Sequence, residues 1–169
     1  YMVLSRAIAA TFGTATILIT YAIANRIAGR VAGLLAAFFL ACAVLHVRDS
    51  HFATTDMPMV LFSMLTLWWA LRLVERGDWL SLVGAGASVG AAVASKYTGL
   101  ISLGTVGVAY VLSPRRPAHL TPILPWVGWV SRGMVPILVA LATFLVLDPL
   151  VIWYPDKFLL DFREQVTDP

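Results

Sequence analysis

Long apolar runs separated by short polar stretches dominate the chain. A helix needs roughly 20 mostly apolar residues to cross a hydrocarbon core of about 30 Å. Six stretches approach or meet that requirement, and they are residues 7–25, 31–47, 57–74, 79–95, 97–113 and 133–152. The pattern therefore predicts an all-α, polytopic membrane bundle of about six transmembrane helices.

The fourth and fifth predicted spans are separated only by a short polar interruption around Lys96. As one helix, residues 79–112 would be about 50 Å long, which exceeds the thickness of a bilayer. We therefore predict two short spans joined by a tight turn at Lys96. The glycines at positions 84, 86 and 90 do not have the spacing of a dinucleotide-binding loop, and no strand precedes them. They predict close packing between helices instead.

The remaining segments complete the predicted organisation. Prolines in the linker 113–132 argue against a continuous helix, and its tryptophans indicate a position along the membrane interface. Residues 153–169 place apolar side chains opposite charged ones, which predicts an amphipathic interfacial helix. We treat residues 1–169 as a single transmembrane domain. Because the chain begins at Tyr1 and ends within a polar segment, we expect it to be a piece of a longer polypeptide.

Composition supports a membrane location. The chain of 169 residues is 60% hydrophobic and 12% charged, its mean hydropathy is +0.85, and an ordinary soluble domain is about a quarter charged. The net charge of +3 comes from basic residues in short loops, which indicates membrane topology and no nucleic-acid partner. The lone Cys42 excludes an intramolecular disulfide.

The distribution of basic residues predicts the orientation. If the 26–30, 72–78 and 113–132 loops share one side, that side holds seven basic residues and the other side holds five. The positive-inside rule then makes the first side cytoplasmic. We expect the stretch 46–58 and Lys96 to share the outer face of an integral protein of the plasma (inner) membrane.

The stretch 46–58 is the densest polar cluster and is interpreted as either a solvated loop or a site. Asp56 stands at the mouth of a predicted span, where a carboxylate normally faces water, a partner or a cavity because lipid disfavours it. A lysine at the same depth could bind phosphate while the carboxylate orients a hydroxyl or a metal. Plainer roles remain open: Asp56 as a helix cap, Lys96 snorkelling to the interface, and Arg48 pairing with Asp49 or Asp56.

Metal ligation is a second hypothesis for the same stretch. His51 and Asp56 are five residues apart, but neither HExxH spacing nor paired cysteines occur. His46, nearer the apolar run, is a weaker candidate than His51 for a metal or catalytic role. A hard divalent ion on Asp56 would need ligands from elsewhere. A divalent metal ion is therefore the one candidate cofactor.

Two short motifs carry a family resemblance. Ser50 to Pro58, followed by Ala94 to Leu100, is similar to the GT-C class of membrane glycosyltransferases, especially the dolichyl-phosphate-mannose protein mannosyltransferases and aminoarabinose transferases. Residues 26–35 and 154–165 also resemble segments of that class. Most of the remaining similarity is hydrophobic pattern.

The resemblance implies transfer of a sugar from a polyprenyl-phosphate donor to an acceptor at the outer membrane face. Asp56 matches the second acidic position of the family, which is expected to be catalytic and in some relatives helps to hold a metal. In that family an acid in the first external loop, ahead of the second span, serves as the base or orients the acceptor. This chain begins at what would be the second span, so that acid is missing and the fragment alone is expected to be inactive. Lys96 is expected to contact the donor phosphate, and Arg48, His51 and Tyr97 complete the expected substrate-binding set.

Two other functions stay open from the sequence. The chain could be a truncated, non-catalytic relative that serves as a structural subunit of a larger membrane complex, with its small-residue helix faces packed against other membrane subunits. A fragment of a transporter is a third and weaker alternative. A catalyst would need membrane lipid and the polyprenyl-phosphate-sugar donor as partners, whereas a structural subunit would need neighbouring proteins.

Overall fold

The computed structural model describes residues 2–52, 54–114 and 123–153, and nearly all of the described part is helical. Short breaks separate the helices, and no β-strand occurs in these ranges. The elements in chain order are α1 (Met2–Cys42), α2 (Val44–His51), α3 (Asp56–Arg76), α4 (Trp79–Ser95), a 3-10 helix (Tyr97–Ile101), α5 (Ser102–Leu112), α6 (Ile123–Leu147) and α7 (Leu150–Trp153). The all-α prediction is confirmed.

Helix α1 is a hairpin of two helical arms. Its backbone leaves helical geometry at Gly29, where φ is 85° and ψ is 177°, a conformation that essentially only glycine adopts. A Cβ on Gly33 would lie 3.0 Å from the carbonyl oxygen of Tyr21, so the arms run side by side. The first two predicted spans are these arms, and the turn predicted between residues 25 and 30 is present.

The packing of α4 against its neighbours depends on small residues. A Cβ on Gly86 would lie 2.5 Å from the carbonyl oxygen of Pro136, and one on Gly90 would overlap the carbonyl oxygen of Ala140, so α4 and α6 meet backbone to backbone. On the other side of α4, Gly84 accommodates the indole of Trp69 on α3. The prediction that these glycines serve helix packing is confirmed.

Local signals set the breaks between helices. Helix α3 ends at Gly77, which has a positive φ of 58°, and the carboxylate of Asp78 accepts a hydrogen bond of 3.1 Å from the backbone N–H of Ser81 as an N-terminal cap of α4. Lys96 is extended and interrupts the helix. Gly99 then packs against Ala92, so the chain turns back at Lys96 as predicted.

Three helices are long and apolar enough to cross a membrane by length and composition: Val3–Cys42, Asp56–Arg76 and Val127–Leu147. The first of these is the hairpin, whose 40 residues would reach about 60 Å if straight. Trp79–Ser95 and Tyr97–Leu112 are shorter apolar helices. An integral membrane protein is therefore supported, while the number of about six crossings stays a prediction.

Two segments differ from the predicted outline or lie beyond the described residues. The linker predicted over residues 113–132 extends too far, because α6 already begins at Ile123. Pro125 falls in the first turn of that helix, where its missing N–H has no intrahelical partner to lose. Residues 115–122 and nearly all of the predicted interfacial helix, 153–169, lie outside the described residues.

Candidate functional site

Polar side chains gather at the two opposite ends of the bundle. At one end, Arg26 Nε donates to Glu75 Oε1 at 2.9 Å, and the guanidinium of Arg132 donates to the carbonyl oxygen of Gly77. These contacts bring together residues from the three loops that were predicted to share a side. Asp56 begins α3 and Arg76 ends it, so Asp56 lies about 30 Å away, at the opposite end.

Asp56 and Lys96 are in direct contact at this second end. Lys96 Nζ donates to Asp56 Oδ1 at 2.7 Å, although the residues are 40 positions apart in the chain. Each side chain keeps 38% of its surface exposed. The first residue of α3 and the break after α4 thus bring a carboxylate and an ammonium group together in a partly exposed position. The expectation that the two residues lie at the same end of the bundle is confirmed, and the membrane face at which that end lies stays a prediction.

The plainer roles of these two residues can be compared with the geometry. Thr55 occupies the N-cap position of α3 and makes no side-chain capping hydrogen bond, while the Asp56 carboxylate bonds to Lys96. Lys96 forms an ion pair and does not merely extend toward the interface. Neither observation tests the predicted catalytic or phosphate-binding roles, which stay predictions.

The preceding polar stretch is more ordered than a loop. Residues Val44–His51 form α2, and only the following few residues connect it to α3. Arg48 Nε donates to Asp49 Oδ1 at 2.9 Å, so the plainer expectation of a pair with Asp49 is met. His51 Nδ1 lies 2.7 Å from the carbonyl oxygen of Val47 on the same helix.

The other predicted substrate-binding residues differ in how the structure places them. Tyr97 directly follows Lys96 and begins the 3-10 helix, so it lies beside the ion pair in the chain and is partly exposed. His51 is exposed near the end of α2, and Arg48 keeps 61% of its side-chain surface exposed. Their contribution to substrate binding stays a prediction.

A buried contact ties α2 to its neighbours. His46 is 8% exposed, and its Nε2 lies 3.2 Å from the carbonyl oxygen of Gly13 in the first arm of α1. Ser50 Oγ donates to the carbonyl oxygen of His46 at 2.7 Å and also contacts Met57 Sδ at 3.3 Å. Because Met57 follows Asp56, this contact holds the start of α3 in place. The sequence pointed to His46 as a weak ligand candidate but gave no sign of its pairing with Gly13.

The described residues do not assemble a metal centre. No group of three His, Cys, Asp or Glu side chains that could hold an ion occurs within 2–52, 54–114 and 123–153. Asp56 is occupied by Lys96, and the two histidines of α2 contact backbone carbonyl oxygens. This set of donors does not fit a divalent ion.

An apolar cavity of about 260 Å³ opens between α4, the 3-10 helix and α6. Val93 of α4, Leu100 of the 3-10 helix and Phe144 of α6 line the part of the cavity nearest Lys96. These residues lie within about one turn of Lys96 or of the C-terminal end of α6. An apolar space therefore lies next to the ion pair, toward the middle of the bundle.

The charged groups at the far end have several partners each. Asp78 accepts hydrogen bonds from the hydroxyl and backbone N–H of Ser81, and it pairs with Arg72 at 2.9 Å. The hydrogen bond from the Ser81 hydroxyl and, as a smaller contribution, that from Arg72 hold the pKa of the Asp78 carboxyl well below its usual range. Arg72 also lies 5.7 Å from the ring centre of Trp69. These groups fasten the turn between α3 and α4.

The comparison with protein families agrees with the resemblance seen in the two motifs. The family model described as dolichyl-phosphate-mannose-protein mannosyltransferase matches residues 3–153, which is most of the chain. No curated protein and no solved structure matches the chain significantly.

Proposed function

This chain belongs to the dolichyl-phosphate-mannose-protein mannosyltransferase family, and we propose that the full-length protein transfers a sugar from a polyprenyl-phosphate donor to an acceptor at the outer membrane face. The observation that carries this proposal is the half-exposed ion pair between Asp56 and Lys96. It combines a cation suited to phosphate with a carboxylate suited to a hydroxyl group.

Lys96 is proposed to hold the donor phosphate. An ion pair between two partly exposed side chains contributes only about 0–1 kcal/mol, so an incoming phosphate can replace the carboxylate without a large loss of stability. A charge-assisted hydrogen bond to phosphate contributes roughly 1.5–3 kcal/mol. The ammonium group would then stabilise the negative charge that grows on the phosphate as the sugar leaves.

Asp56 is proposed to act on a hydroxyl group once its contact with Lys96 is released. In the reaction, the acceptor oxygen forms a bond to the anomeric carbon while the bond from that carbon to the phosphate oxygen breaks. The acceptor proton passes to a carboxylate, and the polyprenyl phosphate leaves as the anion. The 2.7 Å contact between Asp56 and Lys96 supports Asp56 as that carboxylate.

The test uses the full-length protein in proteoliposomes with dolichyl-phosphate-mannose labelled in the sugar. Asp56→Asn and Lys96→Gln should each reduce transfer by roughly a hundredfold or more, as expected when a general base or a charge-stabilising donor is lost. The matched control is Glu75→Gln, which breaks the ion pair with Arg26 at the opposite end. It should leave transfer within about twofold of wild type, because it lies far from the reacting groups.

Undiminished transfer by Asp56→Asn would eliminate its proposed role. If the wild-type protein inserts normally but transfers nothing, and instead co-purifies with other membrane subunits at a fixed ratio, the structural-subunit alternative replaces the enzyme proposal.

A further inference from the structure

Asp148 stands at an unfavourable position for a carboxylate. It directly follows Leu147, the last residue of α6, where the negative end of the helix dipole disfavours an anion. The side chain is partly buried, and the backbone N–H of Asp148 donates a 2.8 Å hydrogen bond to the carbonyl oxygen of Phe144. Within the described ranges, no hydrogen bond or ion pair to the carboxylate is found. A half-buried carboxylate of this kind favours a ligand that can donate hydrogen bonds.

The packing of α4 on α6 places Asp148 close to the level of Lys96. Both helices run from the end that holds Arg132 toward the end that holds Lys96. Gly86 faces Pro136 and Gly90 faces Ala140, so residues 50 positions apart lie side by side. Position 146 is therefore level with Lys96, and Asp148 lies about 3 Å further out at 1.5 Å per residue.

Three chemically distinct features therefore follow one another along the bundle axis. The apolar cavity lined by Val93 and Phe144 is deepest, Lys96 comes next, and Asp148 is outermost. A polyprenyl-phosphate sugar has the same order, because its hydrocarbon tail lies in the membrane, its phosphate lies at the interface and its sugar extends into water. A sugar attached to a phosphate on Lys96 would reach the level of Asp148.

We propose that Asp148 binds hydroxyl groups of the donor sugar, as a second carboxylate of the same site. This inference rests on the proposed function. Sugar hydroxyls supply the donors that an ionised carboxylate accepts, and Lys96 is already committed to Asp56 or to phosphate. Asp148 thus distinguishes a lipid phosphate that carries a sugar from one that does not.

Two lipid probes separate this role from phosphate binding. The affinities of dolichyl phosphate and dolichyl-phosphate-mannose are measured for the full-length protein in detergent, because the two lipids differ only in the sugar. Asp148→Asn should weaken binding of the mannosylated lipid about tenfold, equivalent to about 1.4 kcal/mol, and leave dolichyl phosphate within about twofold. Asp148→Glu should recover part of the loss, whereas Lys96→Gln should weaken both lipids.

A change that affects both lipids equally, or neither of them, in Asp148→Asn would overturn the proposal. Wild-type protein that binds the two lipids with equal affinity would overturn it as well. Failure of the proposed function looks different, because wild-type protein would then bind neither lipid and would transfer no sugar, and both proposals would fall together.

A cross-linking experiment tests the geometric premise without a ligand. In a cysteine-free background of the full-length protein that includes Cys42→Ser, Lys96→Cys combined with Asp148→Cys should be joined by a short bismaleimide. Arg76→Cys combined with Asp148→Cys is the control, because these positions lie at opposite ends of the bundle and should not react together. Absence of cross-linking in the first pair, with both thiols shown to be reactive, would remove the basis of the inference.

Discussion

Substitution of Gly90 by alanine tests whether direct backbone contact holds α4 against α6. A Cβ at this position would overlap the carbonyl oxygen of Ala140 and lie 2.7 Å from Cβ of Thr143. Nonbonded carbon contacts are most favourable near 3.5–4.0 Å, so the two helices would have to separate by about 1 Å. The first obstacle is a backbone atom, which cannot rotate away as the end of a flexible side chain can.

The expected cost is that of an overpacked interior, typically about 1–3 kcal/mol. Alanine is favoured over glycine in a helix by up to about 1 kcal/mol, which offsets part of this cost. The net destabilisation should therefore be about 1–2 kcal/mol. At roughly 2–4 °C per kcal/mol for a chain of this size, the Tm should fall by several degrees.

The assay is thermal unfolding in detergent, followed by tryptophan fluorescence and by loss of the monodisperse peak in size-exclusion chromatography. Gly107→Ala in α5 is the matched control, because a Cβ added to Gly107 would have no neighbouring atom within 4 Å. It should leave the Tm unchanged or raise it slightly. Equal Tm values for Gly90→Ala and Gly107→Ala would refute the inference that backbone contact limits this interface.

Three further predictions concern the turns and the ion pair. Gly29→Ala should destabilise the α1 hairpin by about 1–3 kcal/mol through backbone strain, because Gly29 has a positive φ and an added Cβ would meet no neighbouring atom within 4 Å. Gly104→Ala, which would also meet no atom within 4 Å but has no positive φ, should not destabilise the protein, and equal Tm values would contradict this. Because the pKa of Asp78 is lowered in the folded state, its stabilisation is present above the ordinary carboxyl pKa of about 3.9 and is lost as the pH falls through the folded value. The Tm difference between wild type and Asp78→Asn should therefore be constant from about pH 5 to 8 and shrink progressively below about pH 4. Exchange of the pair, Asp56→Lys with Lys96→Asp, should keep the Tm within a few degrees of wild type but abolish sugar transfer, and retained transfer would contradict the proposed roles.

The parts of the fold that could be predicted from the sequence are those set by local chemistry. The polar run from Asn25 to Arg30 predicted the reversal that occurs at Gly29, and the single charge at Lys96 predicted the second reversal. The small residues of α4 predicted a close helix contact, which the structure shows against Pro136 and Ala140. Each of these signals lies within a few residues of the feature that it sets.

Two predictions were incorrect, the loop at residues 46–51 and the start of α6. The first was incorrect because a tertiary contact stabilises a helix, and the second because prolines are compatible with a first helical turn. The polar composition of residues 46–51 is typical of a loop, but burial of His46 against Gly13 stabilises a helix there. Prolines in the linker suggested that helix α6 starts later than it does. Proline is tolerated in a first turn, so Pro125 is compatible with a helix from Ile123.

For the candidate site, the sequence predicted only that Asp56 and Lys96 lie on the same side of the membrane. Alternation of the loops across the membrane predicted that Asp56 and Lys96 lie on one side. Their 2.7 Å contact, however, depends on the position of α3 relative to α4 along the helix axes. The same limit applies to Asp148. Its level relative to Lys96 follows from the backbone contacts of Gly86 and Gly90 with α6, which no spacing in the sequence encodes.

The ion pairs at the two ends differ in a way that bears on function. Arg26 holds both oxygens of Glu75 and lies 4.8 Å from the ring centre of Trp68, and Asp78 has Ser81 and Arg72 as partners. Such multiply held charges lose several contacts if one partner leaves, which suits a structural role. The Asp56 carboxylate, by contrast, has Lys96 as its one partner within the described residues, and both side chains remain 38% exposed. A singly held, solvated pair can exchange its partner for a ligand at a cost of about 1 kcal/mol or less, which is the property that binding and release of a phosphate require.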